Sequence, residues 1–355
     1  MRFTKSLFAC ALLLVSVPAA QAAPKIRWAN AAATQPAGPV EKFSAKDDPL
    51  DLRGAQGDLA QWLKPFAVEP REFEYTTQLL DEDENVRIYR LTFPSPFKSD
   101  WPQNNVVPAE FYVPKGGKGK VRVAIVLDIM DGSAILARGM ARGMSENGVA
   151  ALYVPMAYYG PRRPKSDPHL KGLVDDPARM LDALRQTVMD IRRAKAILAG
   201  RAEIDPQHIG ITGISLGGIM TSLAAGVDGS FDRVVPILAG GDLTAMVFHT
   251  TRETRAMREK LQEKGVTREQ LAEFLAPVEP LHFASRIDPG RCLMINALQD
   301  EVIPRDCTDA LNKAIRSPQI LWAPAGHYSS ILLLPAIRQT AVRFLKGDSV
   351  AKIEF

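Results

Sequence analysis

Between His208 and Met220 the chain reads HIGITGISLGGIM, and this stretch leaves little freedom in how it can fold. A short apolar run, Ile209 and Ile211, ends in Gly213-Ile214-Ser215-Leu216-Gly217, and small residues continue from Gly218 to Ala225. The pattern predicts a buried strand, a very tight turn and a helix. Glycines two before and two after Ser215 let strand and helix approach closely, where any Cβ would collide. Ser215 is expected at the apex in a strained backbone conformation, its hydroxyl at a helix N-terminus. Free N–H groups and the helix dipole favour developing negative charge there. A glycine-rich helix start with a capping serine reads the same over five residues, so the rest of the chain has to decide.

Around this turn the chain alternates strand and helix. Val121–Leu127 is a near-continuous apolar strand, Ser133–Asn147 a helix, and Val149–Val154 a second buried strand. Pro177–Gly200 carries Met180, Leu181, Leu184, Val188, Ile191 and Ile197 close to helical period. After this strand–turn–helix elbow at Ser215 come strand Val234–Leu238, strand Cys292–Leu298, helix Cys307–Arg316, strand Gln319–Trp322 and a last helix over 329–345. Strands that are apolar throughout, separated by helices, imply a mainly parallel central sheet with helices on both faces. Phe73–Leu80, Val86–Phe93 and Val106–Val113 are expected to add antiparallel strands at the N-terminal edge. Lys115-Gly116-Gly117-Lys118-Gly119-Lys120 lacks the spacing of a phosphate loop and leads into a strand, so it is read as a solvated hairpin turn.

Residues 242–285 interrupt the alternation. Arg252–Gly265 is strongly charged, and Thr267-Arg268-Glu269-Gln270 opens a second helix that ends at Pro277. Two amphipathic helices inserted after a sheet strand are expected to form a small lid.

The N-terminus has the form of a cleavable secretory signal. Arg2 and Lys5 precede the apolar run Leu7–Val17, and Ala20-Gln21-Ala22 supplies a cleavage site. That run is shorter than the roughly 20 residues a membrane span needs, and no later segment reads as transmembrane. The expected organisation is a signal peptide over 1–22, a loosely ordered lead-in over 23–68 with one helical candidate at Asp58–Leu63, and one domain over 69–355. A periplasmic or extracellular location follows from the leader. The net charge of +4 gives no electrostatic case for nucleic acid. Cys292 and Cys307 are expected as buried free thiols, and no Cys or His spacing resembles a metal site.

A serine hydroxyl needs an adjacent base, and the base needs a carboxylate to orient it. Of five histidines, His208 precedes the elbow strand, His249 and His282 fall in or beside the insertion, and His169 lies in the long loop after Val154. His327, in Pro324-Ala325-Gly326-His327-Tyr328, follows the last strand and is the candidate base. Asp300 comes first off the penultimate strand and is the candidate carboxylate, with Glu301 its rival. The order Ser215, Asp300, His327 places each group after its own strand. The oxyanion donors are expected to be the backbone N–H of Leu216 and one from Leu127-Asp128-Ile129-Met130-Asp131-Gly132-Ser133. Ile129 is the first choice there and Met130 the alternative. Asp128 and Asp131 suit turn-forming and capping roles better than substrate contact.

With these residues in view, the chain from about Val106 to Leu345 resembles the dienelactone-hydrolase-like branch of the α/β hydrolases. An acidic residue followed by Ile129 after the first parallel strand is similar to that branch's oxyanion loop, although those enzymes use cysteine where this chain has Ser215. A closer likeness lies in Tyr158-Tyr159-Gly160-Pro161-Arg162-Arg163-Pro164 and the Thr212–Gly218 elbow. The resemblance implies an α/β-hydrolase fold and hydrolysis of a small-molecule or lipid ester, without a cofactor. Tyr158 or Tyr159 is then a candidate for an acyl pocket, and Arg162 or Arg163 for a substrate anion; bracing of the long loop is the other role open to all four. The same triad serves acyl transfer and peptide cleavage, and a non-catalytic binding protein on this scaffold is the alternative from another class.

Overall fold

In a computed structural model, the structure describes residues 38–117, 119–166, 177–249 and 254–354. The expected leader and His169 lie outside them. Ten strands form one sheet: β1 (Val40–Lys46), β2 (Glu72–Glu82), β3 (Val86–Pro94), β4 (Val106–Pro114), β5 (Val121–Leu127), β6 (Ala150–Tyr153), β7 (Ile204–Ile214), β8 (Val234–Ile237), β9 (Leu293–Ala297) and β10 (Gln319–Ala323). Their spatial order is β1-β2-β3-β4-β6-β5-β7-β8-β9-β10. Pairing is antiparallel from β1 through β4 to β6 and parallel from β6 to β10.

The alternation of side chains along a strand divides the core in two. Val123, Ile125 and Leu127 of β5 enter one apolar cluster, and Ala124 and Val126 the other. The first is covered by α3 (Pro177–Ala199) and α4 (Leu216–Asp228), and the second by α2 (Ile135–Glu146) and α10 (Leu334–Lys346). The short helix α9 (Arg305–Ala314) joins β9 to β10. No described helix is long and apolar enough to cross a membrane. Cys292 and Cys307 are buried and unpaired, and burial pushes the Cys307 thiol up to about 12.

Three connections differ from the sequence reading. The lead-in carries more than its one helix, which is α1 (Gly57–Leu63): strand β1 pairs antiparallel with β2, and Asp47 ion-pairs with Arg193 of α3. β1 escapes notice because six of its seven residues are exposed, so no alternation marks it. The 115–120 turn does lead into a strand, but it is not a hairpin, because β6 lies between β4 and β5. The insertion, finally, holds four described helices: α5 (Leu243–Phe248), α6 (Arg255–Glu263), α7 (Arg268–Leu275) and α8 (Pro280–Phe283). Thr267 and Gln270 form the expected capping box on α7. Met246, Val247, Leu261, Leu271, Leu275 and Phe283 belong to the larger core cluster, so the charged sequence marks only the outward face. Glu279 joins the base of the insertion: its carboxylate accepts the N–H groups of Asp242, Leu243 and Leu281. His282 stacks on Trp62 of α1 with ring centroids 3.8 Å apart, and its Nδ1 lies 2.8 Å from the Ala276 carbonyl.

Arg162 is a correction. As a candidate for a substrate anion it would need access, yet its side chain is fully buried. Its guanidinium ion-pairs with Asp190 of α3 at 2.7 Å and donates to the carbonyls of Pro155 and Asn104 at 3.0 and 2.5 Å. It braces the long loop against α3 and the segment before β4. Removing one partner of a buried pair strands the other charge. Arg162→Ala is therefore expected to lower the free energy of unfolding by about 3–5 kcal/mol, measured by urea denaturation. Burial already raises the Asp190 carboxyl against the pull of Arg162. In the variant that rise grows, so the loss of stability deepens as pH increases.

Candidate active site

Ser215 has φ 56° and ψ −118°, a conformation open to a non-glycine residue only where the surroundings enforce it. The surroundings are crowded backbone. A Cβ on Gly217 would stand 2.6 Å from the Asp128 carbonyl oxygen and 2.8 Å from that of Leu127, and one on Gly213 would meet the Gly217 carbonyl. Side chains at either position would push β7, α4 and the end of β5 apart. The Ser215 N–H donates to the Ile237 carbonyl at 2.9 Å, and the first bond within α4 runs from the Ile219 N–H to the Ser215 carbonyl. Leu216 is the first residue of α4, so its N–H has no partner within the helix.

The loops after β9 and β10 bring Asp300 and His327 to this turn. Backbone bonds from Leu298 to Ala323 and from Gln299 to Ala325 extend the pairing of the two strands into their loops. His327 Nε2 lies 2.9 Å from Ser215 Oγ, and Nδ1 lies 2.9 Å from both oxygens of Asp300. An ionised carboxylate only accepts, so Nδ1–H donates to Asp300 and Nε2 accepts from the serine hydroxyl. Asp300 Oδ1 also accepts the N–H groups of Val302 and Ile303 at 2.9 and 2.8 Å. The His327 and Asp300 side chains are only 9% and 6% exposed, which keeps water from competing for these bonds.

Glu301 does not reach the imidazole. Its Oε2 accepts the backbone N–H of His327 at 2.7 Å, so the two adjacent acids hold ring and backbone separately. Sequence spacing put both acids beside the base; the turn at 300–303 divides their tasks. Tyr328 meets the His327 ring edge-on at 5.7 Å and is 55% exposed. Met130 after β5, Leu298 after β9, and Ile331 and Leu332 in the turn that follows Tyr328 are exposed as well.

The remaining candidates separate. His208 lies beside Asp205 at the amino end of β7 with Nδ1 2.7 Å from its carboxylate, and His249 is exposed at the end of α5. Tyr158 is buried at φ 69° and donates its N–H to Asn104 Oδ1 at 2.6 Å. Tyr159 is half-buried and lies against Gly132, on the loop after β5. Arg163 donates to the Asp131 carbonyl of that loop at 3.2 Å. Ile129 is half-buried there, and Met130 is exposed.

The family model for alpha/beta hydrolase domain containing 18 matches residues 51–252, which include Ser215 but neither Asp300 nor His327. No curated protein matches the chain. Among solved structures, an acetyl xylan esterase from Paenibacillus sp. R4 is 19% identical with a TM-score of 0.61, covering 78% of this chain and 89% of its own. Acetyl xylan esterase 1 from Thermoanaerobacterium sp. JW/SL YS485 is 16% identical with a TM-score of 0.59, covering 80% of this chain and 92% of its own. An acylaminoacyl peptidase from Pyrococcus horikoshii is 15% identical with a TM-score of 0.51, covering 77% of this chain and 53% of its own. At these identities the likeness establishes a shared fold, that of the α/β hydrolases. With more than half its length matched by the family model, the chain belongs to the alpha/beta hydrolase domain containing 18 family.

Proposed function

We propose that the protein is a serine hydrolase of carboxylic esters that works through an acyl-enzyme. One observation carries the reading: the unbroken hydrogen-bonded series from Ser215 Oγ through His327 to Asp300. Ser215 attacks the ester carbonyl as His327 Nε2 takes its proton. Asp300 orients the ring and stabilises the imidazolium. His327 then returns the proton to the departing alkoxide, and a water activated the same way releases the acid. The N–H groups of Leu216 and of Ile129, or Met130 in its place, receive the oxyanion; one such donor is worth about 2.7–4 kcal/mol.

The exposed apolar side chains around the triad, Tyr328 foremost, favour an ester with an apolar acyl or alcohol group. Tyr159, beside the loop after β5, is a second aromatic candidate for that contact, whereas Tyr158 and Arg162 are committed to bracing. Arg163 is the candidate for a substrate anion. Kinship with the dienelactone-hydrolase-like branch rests on the 158–164 segment and the elbow, with serine in place of cysteine. The leader-like N-terminus supports action in the periplasm or outside the cell.

The test is hydrolysis of p-nitrophenyl esters from acetate to palmitate. Ser215→Ala is expected to lower kcat on the order of a million-fold with circular dichroism unchanged. Turnover retained in that variant would sink the proposal. Glu301→Ala, which frees the His327 backbone without touching the ring, is expected to reduce kcat about tenfold, equivalent to about 1.4 kcal/mol. Steady-state kinetics with the best ester of the series would read this, and an unchanged kcat would remove Glu301 from the machinery.

A further inference from the structure

The loop from Asp128 to Ala134 carries the second candidate oxyanion donor. Within it, the Gly132 N–H reaches the Ile129 carbonyl at 3.4 Å, and the Ser133 N–H reaches Asp131 Oδ1 at 2.8 Å. The Ala134 N–H donates to Asp128 Oδ2 at 2.7 Å. Ala134 sits at φ 63°, a left-handed conformation that an alanine does not hold unaided. Asp128, at the end of β5, is only 2% exposed, and its Oδ1 is buried with no hydrogen-bond partner.

Other contacts clamp the loop from outside. The Asp128 carbonyl lies against Gly217, Gly132 lies against the Gly160 nitrogen and Tyr159, and Arg163 donates to the Asp131 carbonyl. Each fixes a single point. The Asp128 carboxylate ties the first residue of the loop to the last.

We propose that Asp128 is a positioning residue for ester hydrolysis: by holding Ala134 to the end of β5, it sets the loop so that the Ile129 or Met130 N–H faces the acyl oxygen at Ser215. This deepens the esterase reading above and rests on it.

A carboxylate is a costly choice for a cap at this place. Burial raises its carboxyl to about 6, against the opposing pull of the Ala134 N–H that it accepts. Asp131 on its own loop adds to the rise, and Tyr153 faces it from β6. Beyond Tyr153 stands the ion pair between Glu110 of β4 and Arg138 of α2. In the unfolded chain an aspartate titrates at about 3.9. Folding therefore takes up a proton between the two values, and the stability gained at low pH is lost as pH rises through the folded value. At neutral pH the ionised side chain weakens the fold, as is expected of a group retained for what it does at the site.

The experiment compares Asp128→Ala and Asp128→Asn with wild type on p-nitrophenyl acetate. Rates are referred to the serine titrated by a fluorophosphonate, so that misfolded molecules do not count. Asn keeps a carbonyl oxygen for the Ala134 N–H and has no charge to bury. Asp128→Ala is expected to lose kcat about 10- to 100-fold, less than or equal to the loss of a whole oxyanion donor. Its KM stays within about threefold, the mark of an interaction made in the transition state. Fluorophosphonate labelling slows in proportion, because the phosphoryl oxygen occupies the same position. Asp128→Asn recovers most of the loss, and its thermal midpoint at pH 7.5 is no lower than that of wild type. Should Asp128→Ala not fold, Asp128→Ser, whose hydroxyl is one bond too short to reach Ala134, takes its place.

Wild-type kcat in the truncated variant would overturn the proposal, and so would an Asp128→Asn enzyme as slow as Asp128→Ala. Ser215→Ala separates the two readings. Retained turnover there removes the esterase reading itself. Its loss, beside an unaffected Asp128→Ala, removes only the role of Asp128.

Discussion

The structure depends on a shortage of room at one point. β7, the start of α4 and the end of β5 converge on Ser215 so closely that no side chain fits at Gly213 or Gly217. That convergence forces the serine into a conformation that costs on the order of 1–3 kcal/mol, and the two apolar clusters flanking the sheet offset it. The same crowding sets the neighbours of the serine. The first turn of α4 leaves the Leu216 N–H unspent, and the Asp128 carbonyl pressed against Gly217 brings the loop after β5 alongside.

A parallel sheet delivers its chain ends to one edge, so Ser215, Asp300 and His327 need no special connection to meet. They need accurate loops. Accuracy here comes from continuing the β9–β10 pairing past the strand ends, so that the loops bearing Asp300 and His327 are extensions of a rigid element. Two adjacent acids then act on one histidine from different directions, Asp300 on the imidazole and Glu301 on the backbone. A histidine held at both levels has little freedom left to lose, which in the esterase reading proposed above is the entropic share of catalysis.

Much of this could be read in the sequence because it obeys local rules. A near-continuous apolar run marked β5, an unbroken one marked β6, and the short run at Ile209 and Ile211 marked the second half of β7, whose first half is polar. Helical period marked α3, and the order of serine, aspartate and histidine followed from the strand each comes after. What escaped was non-local or unpatterned. β1 carries no alternation because it is a solvent-exposed edge. The place of β6 between β4 and β5 is a matter of strand order, which no residue of the intervening turn encodes. Arg162 and Arg163 are adjacent and chemically alike. Only Asp190, 28 positions on and one helix away, takes the first fully inward and leaves the second half-buried against the loop after β5. The extra helices α5 and α8 are six and four residues long, too short for period to show.

The clasp at Glu279 gives the insertion a topology of its own. One carboxylate gathers the N–H groups of Asp242, Leu243 and Leu281, so the chain leaves and re-enters the scaffold at nearly the same place. Closing a loop between ends already held together costs entropy that grows only logarithmically with its length. Everything between those ends can lengthen, shorten or change composition at small expense to the sheet, provided the clasp and the apolar underside are kept. The insertion is thereby a part of this fold open to evolutionary change, which can proceed there while the strand ends that carry Ser215, Asp300 and His327 stay as they are.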